Sequence, residues 1–202
     1  MIKLIRKHPP VKLTSAFVAQ KTNQYKASRK SVWNIDWLKE SLMDLSNGKC
    51  AYCECLLTKE SNYMEVEHFH DKNQYPDKVM DWNNLLPSCK HCNGHKLTHD
   101  VVAVPIVNPF IDNPSNHLYF QYFRYKAKDT KGENTISVLD LNDCERKLVD
   151  TRFEIGNALQ EALEEQLTKL DSYQNQPTVS KKNKLIGAVT CLLYTSPSPR
   201  DG

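Results

Sequence analysis

Two Cys-x-x-Cys pairs, Cys50-Ala-Tyr-Cys53 and Cys89-Lys-His-Cys92, constrain this chain more than any other feature. Each pair can place two thiolates on one ion. Together they supply four, which closes a tetrahedral shell with no open position, the way structural zinc is held. The chain has seven cysteines in all, and paired spacings of this kind point to metal before disulfide in a reducing compartment. Cys55 falls outside the register of the first pair and reads as a small buried residue.

The distance between the pairs decides what kind of zinc site to expect. Simple ribbons separate their knuckles by about 15–20 residues, whereas 35 residues lie between Cys53 and Cys89. That stretch contains Glu65-Val-Glu-His-Phe-His70, which alternates enough for a strand, and then Asp81-Trp-Asn-Asn-Leu-Leu-Pro-Ser88. The second pair opens into Lys90-His-Cys-Asn-Gly-His-Lys96, which reads as the start of a helix. The expected unit is strand, strand, helix around one zinc.

The flanks are simpler. Residues 1–35 hold eight Lys or Arg and no Asp or Glu, a basic arm suited either to phosphate or to plain solvation. Within Ser31–Ser46, Trp33, Trp37, Leu38, Leu42 and Leu45 recur at three- and four-residue steps, so a helix is expected there. Ser31 would cap it and Asn47-Gly48 would end it. Residues 101–114 read as extended chain and turns. Leu118–Lys126 and Thr135–Leu141 read as the two strands of a β-hairpin about Asp129–Gly132. From Asp143 to about Tyr173 the pattern is helical, with Leu148, Ile155, Leu159, Leu163, Leu167 and Leu170 along one side. Eight acids against four bases there favour a protein contact or solvent over DNA. The expected divisions are therefore 1–47, 48–100, 101–142 and 143–190, followed by a tail at 191–202.

That tail, Cys191-Leu-Leu-Tyr-Thr-Ser-Pro-Ser-Pro-Arg-Asp201, resembles translated sequencing adapter. The alternative is a Pro/Ser-rich disordered end. On the adapter reading the natural protein continues differently after about Thr190, and Cys191 is left out of the metal argument. Formal net charge is only +3. No run of about 18 apolar residues could span a bilayer, and Met1-Ile-Lys-Leu-Ile-Arg lacks the apolar stretch of a signal peptide. A cytoplasmic protein with no membrane association is expected.

The strings Gly-Lys-Cys-Ala-Tyr-Cys-Glu (48–54), Val-Glu-His-Phe (66–69), Asp-Trp-Asn-Asn-Leu-Leu-Pro-Ser-Cys (81–89) and Cys-Asn-Gly-His-Lys (92–96) resemble the HNH, or ββα-metal, nuclease motif. Within that family the match is closest to the PtuB-like nucleases of Septu and retron-linked anti-phage systems, over roughly residues 48–142. The resemblance implies an α+β fold, in which a zinc-bound ββα-metal core carries N- and C-terminal helices and an added β-hairpin. It implies an endonuclease that hydrolyses phosphodiester bonds by a one-metal mechanism, with DNA favoured over RNA. An ABC/SMC-like ATPase would be its partner, together in some systems with a retron reverse transcriptase.

Residue roles follow from the same resemblance. His68 would be the general base, since an imidazole near its reference pKa of about 6.5 can take a proton from water. Glu67 would be a hard oxygen ligand for catalytic Mg2+ or Mn2+, and Asn93 a second ligand through its carbonyl oxygen. Asn84 would brace the loop that carries the base. Strand neighbours point to opposite faces, so Glu67 and His68 can serve one site only at a bulge or a strand end. Lys96 lies three residues beyond Asn93 on the same helical face, within reach of a phosphate. His95 ranks below Asn93 as a ligand, and His70, His91 and His99 read as surface or supporting residues. Two other classes compete: a non-catalytic zinc module that binds nucleic acid or protein, and a thiol redox protein that uses one Cys-x-x-Cys.

Overall fold

The computed structural model describes residues 1–57, 63–145 and 148–195, with side chains described as far as residue 189. The chain divides into two compact units, Met1–Asp143 and Cys144–Gly202.

The basic arm of the first unit is docked rather than solvated. Leu4 N–H donates to the Pro109 carbonyl at 2.9 Å, and Lys3 Nζ to the Phe110 carbonyl at 3.0 Å. Arg6 donates to the Leu85 carbonyl at 2.8 Å with its guanidinium 3.7 Å from the Phe110 ring centroid. Burial lowers the Arg6 pKa to about 10, opposed by Asp81. Helix α1, Ser15–Ser28, follows; the Thr14 hydroxyl caps it by accepting from Phe17 N–H at 3.2 Å. Sequence reading misses α1 because it buries only Thr22 and Tyr25 and so shows no apolar stripe.

Helix α2 is Asp36–Leu45, five residues shorter at its start than expected. Val32 is buried ahead of it, and Trp33 packs edge-on against Tyr25 and His68. Ser31 therefore caps nothing, and those side chains belong to an extended segment. The expected end is observed: Asn47 and Gly48 both take positive φ, at 50° and 71°. Leu38, Leu42 and Leu45 form the buried face.

Strand β1, Met64–His68, pairs antiparallel with β2, Leu85–Cys89, in a register that sets Met64 opposite Cys89 and His68 opposite Leu85. Every residue of β2 is buried, so it reads as an apolar run rather than an alternation. Helix α3, Lys90–Lys96, starts immediately, with Cys89 as its cap. The order strand, strand, helix around the cysteines is thus present in an α+β fold.

The expected hairpin is corrected. Both of its strands fall on the first predicted strand, overrunning it by one residue: β3 is Leu118–Gln121 and β4 is Arg124–Ala127, after the short helix α4, Pro114–His117. The turn residues Tyr122 and Phe123 take φ of 49° and 62°. Two aromatics carry no turn signature there, so the sequence hides the turn. The second predicted strand is helix α5, Thr130–Val138, whose cap Asp129 accepts from Gly132 N–H at 2.8 Å.

In the second unit α6, Leu148–Asn175, takes up the expected helical pattern, and a further helix, α7, Val179–Thr195, lies beyond it. The apolar side of α6 is not buried, however: Ile155, Leu159, Leu163 and Leu167 are each about half exposed. Helix α7 runs into the expected tail, whose residues 196–202 lie outside the described residues. No helix among the described residues is long and apolar enough to cross a membrane.

A Cβ added at Gly132 would lie 2.2 Å from the His117 carbonyl oxygen, a backbone atom that cannot swing aside. Gly132→Ala is expected to destabilise the fold by about 1–3 kcal/mol, the usual cost of overpacking. Thermal unfolding should show a drop of several degrees; an unchanged midpoint would contradict the packing of α5 on the α4–β3 junction.

Candidate functional site

The four sulfurs of Cys50, Cys53, Cys89 and Cys92 lie within 4.8 Å of one another, and all four residues are buried. Each knuckle has its own backbone support. In the first, Cys50 N–H donates to the Cys55 carbonyl at 2.9 Å and Glu54 N–H to the Cys50 carbonyl at 3.0 Å. Ala51 N–H then reaches the Pro87 carbonyl of β2 at 2.9 Å, which locks the first knuckle to the strand that leads into the second. In the second, Cys92 N–H donates to the Cys89 sulfur at 3.4 Å.

The donor set fits zinc. Four Zn–S bonds of about 2.3 Å in a tetrahedron put neighbouring sulfurs about 3.8 Å apart, and Cys53 Sγ lies 3.7 Å from Cys89 Sγ. The thiols cannot all ionise without a cation. Cys50 is lowered well below the usual thiol range, because hydrogen bonds from Cys53, Cys55, Cys89 and Cys92 outweigh the burial that raises it. Cys92 is raised, chiefly by its bond to Cys50. The Cys55 thiol reaches the same cluster and is pushed up by Cys50, Cys53 and Cys89. It is half-buried, a fifth thiol beside the cage.

Beside the cage, α3 faces β1 through two polar pairs. Lys96 Nζ lies 2.6 Å from Glu67 Oε1 and donates to the His68 carbonyl at 2.9 Å, and both side chains are almost fully buried. Asn93 Nδ2 donates to Glu65 Oε2 at 2.6 Å. Strand residues two apart thus meet helix residues three apart on one shared face. The Tyr52 hydroxyl, from inside the first knuckle, stands 3.5 Å from Glu67. Burial raises the Glu67 carboxyl and Lys96 opposes it.

His68 ends β1 and faces the other way. Its Nε2 lies 3.0 Å from the Val79 carbonyl, and its ring meets Trp33 edge-on at 4.6 Å. A carbonyl only accepts, so Nε2 carries the proton and Nδ1 the lone pair. Burial lowers the pKa of His68 to about 3, with the Val79 bond opposing and Lys72 and Lys96 assisting. The expectation of an ordinary imidazole is therefore corrected: His68 is neutral, and far less basic than in water.

Asn84 accepts from His70 N–H at 2.7 Å and donates to the His70 and Lys78 carbonyls, each at 3.1 Å, which closes the loop after His68. Asp71 supports the same loop by accepting from Asn73 and Gln74 N–H.

The structure brings Glu67 to Lys96, Asn93 to Glu65, and Asn84 to the loop beyond His68. It gives Glu67 and His68 separate partners on opposite sides of the strand. Lys96 is 1% exposed and committed to Glu67, so in this conformation it offers nothing to a phosphate. Glu67 and Asn93 are each paired elsewhere, with Lys96 and Glu65. Sequence reading assigned no role to Glu65, Tyr52 or Trp33. Only Glu65 left a signal, two residues before Glu67 on the same strand face.

Cys89 both ligates in the cage and caps α3, so Cys89→Ser should abolish zinc binding and cooperative folding together. The check is zinc content with a melting curve, and a variant that keeps one zinc and its melting midpoint would disprove the cage. The depressed His68 pKa sets a second expectation. The unfolded chain, with a reference pKa of about 6.5, binds the proton that the folded chain refuses. Stability is then full above that value and declines as pH falls towards about 3. Between pH 7.5 and 5.5 the loss is about 1.4 kcal/mol, and denaturant titration should show it in wild type but not in His68→Gln. Equal losses in both would place the proton elsewhere.

No protein-family model matches the chain. It is 44% identical over 195 residues to the Septu protein PtuB of Bacillus thuringiensis, covering 96% of this chain and 75% of that one. It is 31% identical over 156 residues to the Septu protein PtuB of Bacillus mycoides (strain KBAB4), covering 61% of this chain and 52% of that one. With four clustered cysteines that could hold one ion and a strand–strand–helix core, the chain belongs to the PtuB family of Septu proteins.

Proposed function

We propose that this protein is an HNH-type endonuclease, the nucleic-acid-cleaving component of an anti-phage defence system that works beside an ABC/SMC-like ATPase, with DNA as substrate. The observation that carries the reading is His68 itself. A histidine at the end of a ββα strand is held in one tautomer by the Val79 carbonyl, just ahead of a loop braced by Asn84. That tautomer presents an unprotonated Nδ1, the atom a general base needs.

In this role His68 accepts a proton from the water that attacks phosphorus. With its pKa lowered to about 3 the ring is a weak acceptor, so the active form requires relief of burial. Trp33 covers the ring, and Lys72 Nζ sits 5.5 Å from the Trp33 centroid. Displacement of this cover by a phosphate drawn to Lys72 would return His68 towards its aqueous basicity. Zinc in the cysteine cage is structural: it positions β1, β2 and α3 and takes no part in proton transfer. A catalytic Mg2+ or Mn2+ on Glu67 and Asn93 would require both to leave Lys96 and Glu65, and no step is assigned to it.

One observation favours a second reading, a zinc module that binds nucleic acid without cutting it. His68 is 3% exposed and Glu67 is neutralised by Lys96, which is how a purely structural core would be built.

Plasmid cleavage by the full chain, with Mg2+, Mn2+ or chelator, separates the two. The nuclease reading expects metal-dependent nicking that falls about 10²–10⁴-fold in His68→Ala, with zinc content unchanged. Wild type that binds plasmid without cutting it supports the binding module. A His68→Ala protein that retains more than half the wild-type rate removes His68 as the base.

A further inference from the structure

The face of α3 that points away from Asn93 and Lys96 carries a second cluster. His91 and His95, one helical turn apart, lie with tilted rings whose centroids are 4.4 Å apart, and they meet the turn that follows α5. One ligand atom each from His91, His95 and Asp140 lie within 4.8 Å of one another. Asp143 Oδ2 stands 3.6 Å from His91 Nδ1. All four residues belong to the first compact unit. We propose that His91, His95 and Asp140 form a second metal site, for a divalent transition-metal ion of the zinc class, with Asp143 orienting the His91 ring.

Three observations carry this. The first is separation. A charge-assisted hydrogen bond between imidazolium and carboxylate closes to about 2.7–2.9 Å, yet His95 Nε2 stands 3.8 Å from Asp140 Oδ2. Two ligands bound at about 2.1 Å to one tetrahedral ion stand about 3.4 Å apart. The gap is too wide for the hydrogen bond and close to the ligand spacing.

The second is the His91 ring, both of whose nitrogens face oxygen acceptors. Nδ1 faces the Asp143 carboxylate, and Nε2 lies 3.2 Å from the Asp140 carbonyl. A neutral imidazole has one proton, so either tautomer leaves a lone pair against an acceptor. With Nδ1–H directed to Asp143, the Nε2 lone pair turns to the Asp140 side of the cluster. Carboxylate, histidine and metal in line is the usual way a ligating imidazole is held.

The third is the backbone at Asp140, which takes φ of 45°. Asparagine and aspartate tolerate this left-handed conformation better than most residues. It ends α5, where Leu141 N–H reaches back to the Ile136 carbonyl at 3.0 Å, and it turns the Asp140 carboxylate to the histidines.

One side of the cluster is closed, with His91 and Asp143 each buried, and the other is open, with His95 and Asp140 about 40% exposed. Two imidazoles and one carboxylate with an open position suit zinc-class ions better than Mg2+ or Ca2+, which prefer oxygen alone. The site stands independently of the nuclease reading, since it uses none of the residues assigned to phosphodiester chemistry.

The test is metal stoichiometry on the full chain, carrying one zinc in the cysteine cage and then titrated with Co2+ or Zn2+. Wild type is expected to take up one further equivalent, and cobalt should give the weak visible bands of nitrogen and oxygen ligands without intense thiolate charge transfer. His95→Gln and Asp140→Asn should each weaken the second equivalent at least 10-fold while keeping the first zinc. His95 is exposed enough for that variant to fold. Wild type that stops at one equivalent, a second equivalent with thiolate charge transfer, or unchanged uptake by both variants would each overturn the proposal.

Discussion

Four buried sulfurs draw together two chain segments separated by 35 residues, and the positions of the other polar groups follow from that closure. Cys89 is at once the last residue of β2, the cap of α3 and a cage ligand. Its position therefore joins β2 directly to α3 at the cysteine cluster. That junction in turn lays Asn93 and Lys96 along β1, opposite Glu65 and Glu67. The first knuckle completes the arrangement by placing the Tyr52 hydroxyl beside the Glu67 carboxylate. A charged pair as deep as Glu67–Lys96 is costly to desolvate, and removing one partner alone would leave an uncompensated charge inside the core. Its presence makes the register of β1 against α3 specific, because a displaced strand would bury the carboxylate without its ammonium.

The contrast between Glu67 and His68 shows how far strand geometry governs chemistry. Adjacent in sequence, they enter different environments because successive side chains leave a strand on opposite faces. Glu67 meets a lysine and a tyrosine, His68 a tryptophan and a carbonyl. Both are buried, and burial works against the charged form of each: the carboxyl is raised and the imidazole lowered. The imidazole, held by a neutral carbonyl, stays neutral.

Much of the candidate site was legible in the sequence, because metal ligation imposes spacing that chance does not mimic. The two cysteine pairs, the intervening strand and the helix after Cys89 could all be placed from residue order alone. What escaped were features fixed by tertiary contacts. The turn at Tyr122-Phe123 holds two aromatics in left-handed backbone, where the sequence rules look for glycine or asparagine. Helix α1 buries one tyrosine and one threonine, too little for a periodic stripe. Trp33 fitted a helical spacing but lies in extended chain, drawn there by Tyr25 and His68. The basic arm of residues 1–35, which by sequence suits phosphate or plain solvation, instead sets Arg6 against Phe110 and the Leu85 carbonyl. A local charge count cannot register an aromatic partner about a hundred residues away.

The short β1–β2 ladder also acts as a ruler. Cys89 lies at one end, opposite Met64, and Leu85 lies at the other, opposite His68. Four residue steps of about 3.3 Å each hold the cage and the imidazole about 13 Å apart along the strand. A chain of this design can vary its loops freely. It cannot gain or lose one residue in β1, because that shortens or lengthens the ruler and also turns every following side chain to the wrong face. Length variation among such proteins should therefore collect beyond α3, leaving the five-residue strand untouched.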